Sequence, residues 1–224
     1  MKFLLSAVAA VIVAGPAFAA SNLVVNGGFE AAPSPANGYI LYAGGDTFPG
    51  WTATGHDVGT IDGGYSEGGL VFNANSGNNA IDLTGAGNTG AADGIVQTIA
   101  TIAGKRYTLT FFVGNASPTG GNASSYLSPS TLNLSINSGA ISSYTNSDDT
   151  AFGINWKSFS TTFTATGPTT LAFSNGTVST DNYLGLDDVS ATAVPEPTTW
   201  AMMIGGIAMV GFAARRRRQT AVAA

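Results

Sequence analysis

Between residues 20 and 194, apolar side chains recur at every second position in short runs, and no stretch shows the three-to-four spacing of a helical stripe. Tyr107, Leu109, Phe111 and Val113 share one side of an extended segment, as do Leu132, Leu134 and Ile136, and likewise Phe159, Thr161 and Phe163. A period of two is what a sheet with one buried face demands, because successive side chains point to opposite faces. Gly, Asn, Ser and Pro separate the runs and supply the turns. The predicted strands are Leu23–Asn26, Gly50–Thr54, Val58–Ile61, Leu70–Asn73, Asn79–Leu83, Ile95–Ile102, Arg106–Val113, Thr131–Ile136, Ala140–Tyr144, Trp156–Ala165, Thr169–Ser174 and Leu184–Ala191. Strands of this number and spacing predict an all-β fold, a two-sheet jelly-roll β-sandwich. Ser117–Pro129 and Thr145–Asn155 lack apolar periodicity and read as long connecting loops.

The two ends of the 224-residue chain lie outside this pattern. Lys2 is followed by the apolar run Phe3–Ala14, by Gly15-Pro16, and by Ala17-Phe18-Ala19, with small residues where a signal peptidase requires them. The run is too short to span a bilayer, which takes about 20 residues. Residues 1–19 therefore read as a signal peptide, exported by the Sec machinery and cut by signal peptidase after Ala19. The body that remains, 20–194, has the size of one domain.

At the other end, Pro195-Glu196-Pro197 holds the chain extended. An apolar run from Thr199 to Ala214 is long enough for a short membrane helix of roughly 24 Å. Trp200 suits its outer interface, and Arg215, Arg216, Arg217 and Arg218 fix the C-terminus in the cytoplasm. Residues 195–218 thus form a sorting segment, 219–224 a cytoplasmic tail, and the body is placed in the periplasm. Pro-Glu-Pro, apolar span and arginine cluster in this order resemble the PEP-CTERM sorting signals of Gram-negative bacteria. The resemblance implies recognition by an exosortase and processing near Pro195-Glu196-Pro197. It also implies delivery to the cell surface or matrix, in association with exopolysaccharide and biofilm.

Charge narrows the partners. The body holds three basic residues (Lys105, Arg106 and Lys157) against twelve acidic ones, a net charge of −9. Such a surface repels phosphate backbones and excludes nucleic acid, while it suits neutral ligands and divalent cations. The chain has no cysteine, so an exported fold must rely on its core, with or without a metal ion.

Within the body, Asn22-Leu23-Val24-Val25-Asn26-Gly27-Gly28-Phe29-Glu30 and Gly50-Trp51 open a pattern that continues through Ala80-Ile81-Asp82-Leu83, Ile95-Val96-Gln97-Thr98-Ile99 and Gly104-Lys105-Arg106-Tyr107-Thr108-Leu109-Thr110-Phe111. Leu186-Asp187-Asp188-Val189 closes it. These pieces resemble the galactose-binding-like jelly rolls, which include carbohydrate-binding modules and choice-of-anchor surface domains. The resemblance implies a structural Ca2+ where the first and last strands meet, with Glu30 and Asp188 as acidic ligands and carbonyls near Gly28 completing an oxygen shell. Strict alternation in Leu184–Ala191 puts Asp188 on the face of Leu184 and Leu186, where a carboxylate needs a partner or a metal.

Sugar faces stack on exposed aromatic rings. Trp51 and Trp156 lie on strand patterns and read as core, whereas Tyr39, Tyr42, Tyr65, Tyr126 and Tyr144 lie near loops and are candidates for a ligand surface. Catalysis has little to work with. The one histidine, His56, sits in a Gly-rich turn, and a Cys–His pair is impossible. Asp57, Asp62, Glu67, Asp82 and Asp93 could supply a glycosidase pair, but nothing in the sequence selects one. The expected function is that of a non-catalytic surface or matrix protein, binding polysaccharide or structural. A secreted glycoside-processing enzyme and a matrix protein without a specific ligand are the alternatives.

Overall fold

The computed structural model describes residues 21–32, 34–86, 93–116, 126, 128–148, 153–177, 183–195 and 204–211. The described strands, in chain order, are β1 (Tyr39–Ala43), β2 (Thr47–Phe48), β3 (Trp51–Thr54), β4 (Asp57–Asp62), β5 (Ser66–Glu67), β6 (Leu70–Val71) and β7 (Asn79–Asp82), followed by β8 (Gly94–Ile99), β9 (Arg106–Ala116), β10 (Ser130–Ile136), β11 (Ser142–Asn146), β12 (Ile154–Thr164), β13 (Thr169–Asn175) and β14 (Leu184–Ala193). Twelve of them build two six-stranded sheets, in the orders β1-β4-β7-β14-β9-β12 and β11-β10-β13-β8-β3-β2, while β5 and β6 form a separate hairpin. This is the jelly-roll sandwich that the alternation demands.

The main core fills the space between the sheets. Leu109, Phe111 and Val113 of β9 point into it, as do Leu132 and Leu134 of β10, Leu171 and Phe173 of β13, and Leu184 and Leu186 of β14. Rings meet edge to face at the centre, with Phe111 and Phe173 5.5 Å apart and Trp51 and Phe173 6.1 Å apart, a geometry that aromatic quadrupoles favour. Trp51 is core, as expected.

A second, smaller core lies on the outer face of the first sheet, where period-two reasoning expects solvent. Ile61, Leu70, Phe72, Ala116, Ile154 and Tyr183 are buried there, with Tyr65, Tyr126 and Trp156 packed against them. The register explains how a flat ring can lie on this face. Gly59 pairs with Asp82, Asp82 with Gly185, Gly185 with Gly114, and Gly114 with Trp156. Glycines thus clear a path across the sheet. A Cβ on Gly185 would stand 2.7 Å from Trp156 Cη2, and one on Gly114 2.9 Å from Trp156 Cζ3. The indole is held down by its Nε1–H, which donates to the Asn73 carbonyl at 2.9 Å.

Two strand expectations change. Leu23–Asn26 is a strap of turns and not a strand: Leu23 N donates to Ala191 O, and Asn26 adopts a left-handed φ of 52° that ends extended geometry. In β14 the alternation expected of Asp188 fails, because the pairing with β9 shifts between Asp187 and Ser190 and Asp188 has φ 50°. This bulge turns Asp187 into the fully buried position and leaves Asp188 half-buried.

Residues 204–211 form a helix with exposed Ile204, Ile207, Met209 and Val210. No helix among the described residues is long and apolar enough to cross a membrane. The expected span Thr199–Ala214 coincides with the described helix only over 204–211. The signal peptide, Glu196, Pro197, Trp200 and the four arginines lie outside the described residues.

Candidate functional site

The outer face of the first sheet carries a cleft of about 250 Å³ at its β1 border. Its floor is Gly59 and Ile61 of β4 and Asp82 of β7, and its outer wall is Tyr39 and Leu41 of β1. The pairings Tyr39↔Ile61, Leu41↔Gly59 and Gly59↔Asp82 place these residues side by side on one face. Tyr65 and Glu67 of the β5–β6 hairpin, together with Phe72, Tyr126, Gly85 and Ala86, complete the lining.

Aromatic rings run along the cleft in contact. Tyr39 meets Tyr65 edge-on at 5.2 Å, Tyr65 meets Phe72 at 5.4 Å, and Phe72 meets Tyr126 at 5.6 Å. Two tyrosine hydroxyls fix one carboxylate: Tyr65 Oη donates to Glu67 Oε2 at 2.8 Å and Tyr126 Oη to the same oxygen at 3.5 Å. Burial, then the hydrogen bond and charge of Glu67, push the Tyr65 hydroxyl up to about 12. Burial and the Glu67 charge also raise Tyr126. Both hydroxyls therefore keep their protons and remain donors at any physiological pH.

Asp82 supplies the second carboxylate. Its described donors converge on Oδ1, Thr84 Oγ1 at 2.6 Å, Thr84 N at 2.9 Å and Leu184 N at 3.4 Å. Burial lifts the Asp82 carboxyl to about 7 against the opposing pull of the Thr84 donors. An acid poised in this way can accept or donate a hydrogen bond near neutrality.

Of the tyrosines considered from sequence, Tyr39, Tyr65 and Tyr126 meet in this cleft. Tyr42 instead stacks on Phe48 at 4.5 Å, and Tyr144 packs on Phe111 at 5.1 Å, both against the main core. Trp156, expected in the core, is partly buried and packs against the outer-face cluster. Among the candidate carboxylates, Glu67 and Asp82 line the cleft. Asp57 pairs with His56 Nδ1 at 2.9 Å and accepts from Ala86 N, which anchors the segment at the cleft rim. Asp62 accepts from Asn37 N and Gly64 N, and these amides hold its carboxyl below the usual range. Asp93 accepts from His56 N, in the turn before β4.

Glu30 and Asp188 reach one segment, 74–79, from its two ends. Glu30 Oε1 accepts from Asn78 N at 2.8 Å and Asn79 N at 2.9 Å. Asp188 Oδ1 accepts from Ser76 Oγ at 2.8 Å and Oδ2 from Asn75 Nδ2 at 2.7 Å. Between them the buried Asp187 takes Asn75 N at 3.0 Å and Ser76 N at 3.2 Å. Burial and the neighbouring Asp188 charge raise the Asp187 carboxyl to about 7. Sequence reasoning passed over Asp187, because the bulge that buries it has no signature in the alternation. Among the described residues, no three His, Cys, Asp or Glu side chains gather into a group that could hold a metal. One observation fits an oxygen-seeking cation. Asn79 Oδ1 is buried without a hydrogen-bond partner, while Nδ2 of the same side chain lies 3.4 Å from Glu30 Oε2. Amide, hydroxyl and carboxylate oxygens are the donor types that calcium takes.

Comparison with known proteins adds the following. Residues 22–190 match the family described as "Protein of unknown function (DUF642)", and residues 193–218 match the PEP-CTERM protein-sorting motif. No curated protein matches. The chain is similar to the CBM22-1 xylan-binding domain from Paenibacillus barcinonensis, 13% identical over 73% of this chain and 99% of that one, with a TM-score of 0.42. It is similar to TmCBM61 in complex with β-1,4-galactotriose, 17% identical over 78% and 99%, with a TM-score of 0.42. A third similar structure is the K1 cleaved adhesin domain of Lys-gingipain from Porphyromonas gingivalis, 14% identical over 70% and 99%, with a TM-score of 0.46.

Proposed function

Because the chain belongs to the DUF642 family and ends in a PEP-CTERM protein-sorting motif, we propose that it is an exosortase-sorted surface protein whose β-sandwich binds polysaccharide without catalysis. In this reading signal peptidase and the Sec machinery export it, residues near Pro195-Glu196-Pro197 are processed by the exosortase, and the body works at the cell surface or in the exopolysaccharide matrix. The observation that carries the binding reading is the cleft beside β1, where tyrosine rings and oriented carboxylate oxygens line one cavity. Rings offer the apolar faces of a sugar a stacking partner, and the carboxylates accept from its hydroxyls. The volume of about 250 Å³ suits one sugar ring seated deeply, with the rest of a polymer running over the rim.

Calcium has a structural role in this proposal. Glu30 and Asp188 would hold the ion with the Asn79 carbonyl oxygen and oxygens of the 74–79 segment, tying the N-terminal strap to the last strand.

The test of binding is a glycan array probed with the full chain in detergent, alongside Gly59→Val. A Cβ on Gly59 meets Leu41 Cδ2 at 3.5 Å and Ile40 O at 3.9 Å, both of the neighbouring β1, so the valine grows into the cleft and not into the core. Glycans retained by wild type and lost by Gly59→Val at unchanged melting temperature support the cleft. Absence of any retained glycan, or equal retention by both, rejects it.

A further inference from the structure

We propose that the ligand of the β1-border cleft is a cationic amino sugar, a hexosamine unit whose amine is free and protonated within a polysaccharide. The inference rests on the binding reading above and names the chemistry that the site selects.

The cleft combines two carboxyl groups with four aromatic rings, and none of its described lining residues is Lys, Arg or His. Glu67 is held by tyrosine hydroxyls on one oxygen, so its charge is oriented and not merely present. Around it Tyr39, Tyr65, Phe72 and Tyr126 form a connected wall. Faces of aromatic rings attract ammonium groups, most strongly when water is partly excluded. A carboxylate beside such rings is the complement of an amine carried on an apolar ring.

The rest of the molecule reinforces the sign. The body has only three basic residues. Lys105 and Arg106 lie at the start of β9, and Lys157 lies on β12, where it pairs with Asp148 at 3.0 Å. In the sheet, β14 stands between β9 and the floor strands β7 and β4, and β12 lies at the opposite border. His56, close to the rim, is engaged by Asp57. A uronic acid or a phosphorylated glycan would thus meet an uncompensated negative field. A neutral sugar would dehydrate the Glu67 carboxylate without supplying a counter-charge. An ammonium pairs with the Glu67 carboxylate, and the sugar ring that carries it stacks on the aromatic wall.

The experiment is calorimetric titration of the full chain in detergent at about pH 6. Glucosamine tetramer, N-acetylglucosamine tetramer, a neutral glucose tetramer and a galacturonate tetramer are compared, with wild type and Glu67→Gln. Glucosamine and its N-acetyl form share a ring and differ in charge, so their ratio isolates the amine. The expectation is that wild type prefers the glucosamine tetramer over its N-acetyl form by about tenfold or more, and that Glu67→Gln removes most of that preference. Equal binding of charged and acetylated tetramers, or preference for galacturonate, overturns the amino-sugar assignment and leaves the polysaccharide reading standing. Failure of wild type to bind any of the four, in an array that also retains nothing, overturns the polysaccharide reading itself. A preference for glucosamine that persists in Glu67→Gln overturns the role given to that carboxylate.

Discussion

Replacing Gly185 by alanine tests whether the glycine path across the sheet exists to seat Trp156. The added methyl would stand 2.7 Å from Trp156 Cη2, 2.7 Å from Tyr183 Oη and 3.0 Å from Tyr183 Cε1. Carbon atoms in contact prefer about 3.5–4.0 Å, so the indole must lift by close to an ångström. Strand backbone blocks the other escape, because Gly185 pairs with both Asp82 and Gly114. Overpacking of this kind costs about 1–3 kcal/mol. Lifting the ring also stretches the Trp156 Nε1 bond to Asn73 O, at 2.9 Å, which adds about 0.5–1.5 kcal/mol. The sum is about 1.5–4.5 kcal/mol, or about 3–18 °C in Tm for a body of this size. Urea unfolding followed by tryptophan fluorescence and by circular dichroism measures it, with Gly59→Ala as the control on the same face. The steric cause makes a second demand: Trp156→Leu should absorb the methyl, so the double variant is more stable than the sum of the single costs by about 1–2 kcal/mol. A Gly185→Ala protein within about 0.5 kcal/mol of wild type, or strictly additive costs in the cycle, would falsify the account.

Three further outcomes are expected. Asp82 and Asp187 are both raised to about 7, so between about 4 and 7 the folded state binds protons that the unfolded state has released. Stability then falls as pH rises through that window, by up to about 1.4 kcal/mol per unit for each group; urea unfolding in chelator at about pH 5, 6, 7 and 8 should show the decline, and a flat profile would contradict it. Asp188→Ala should lower the Tm in calcium-containing buffer and abolish the gain from added calcium; a wild type equally stable with calcium and with excess chelator removes the ion from the proposal. Changing Pro195-Glu196-Pro197 to alanines should leave the full-length chain in the membrane, as immunoblots of membrane and extracellular fractions would show, whereas normal maturation of the variant would rule out processing there.

The main core was readable because its strands obey one rule. β9 keeps Tyr107, Leu109, Phe111 and Val113 inward, and its partner β12 was found for the same reason. The outer-face cluster was hidden because burial on both faces erases alternation: β4 is buried at five consecutive positions, Val58 to Asp62. β1 escaped for a related reason, since Tyr39-Ile40-Leu41-Tyr42 is apolar throughout. The cleft depends on register between β1, β4 and β7, which no single segment encodes. Its tyrosines could be suspected one at a time, but their meeting with Glu67 and Asp82 could not. Asp187 was invisible for a more local reason, because one bulge inverts the side to which a residue points.

The last strand also sets where the cleft stands relative to the sorting motif. Gly185, beside the Asp82 floor, lies near the beginning of β14, while the chain leaves the sandwich after Ala193, which pairs with Tyr107 at the other end of β9. Eight residues of extended chain measure about 27 Å. The sorting motif, which begins at residue 193, therefore starts at the end of β14 far from the cleft.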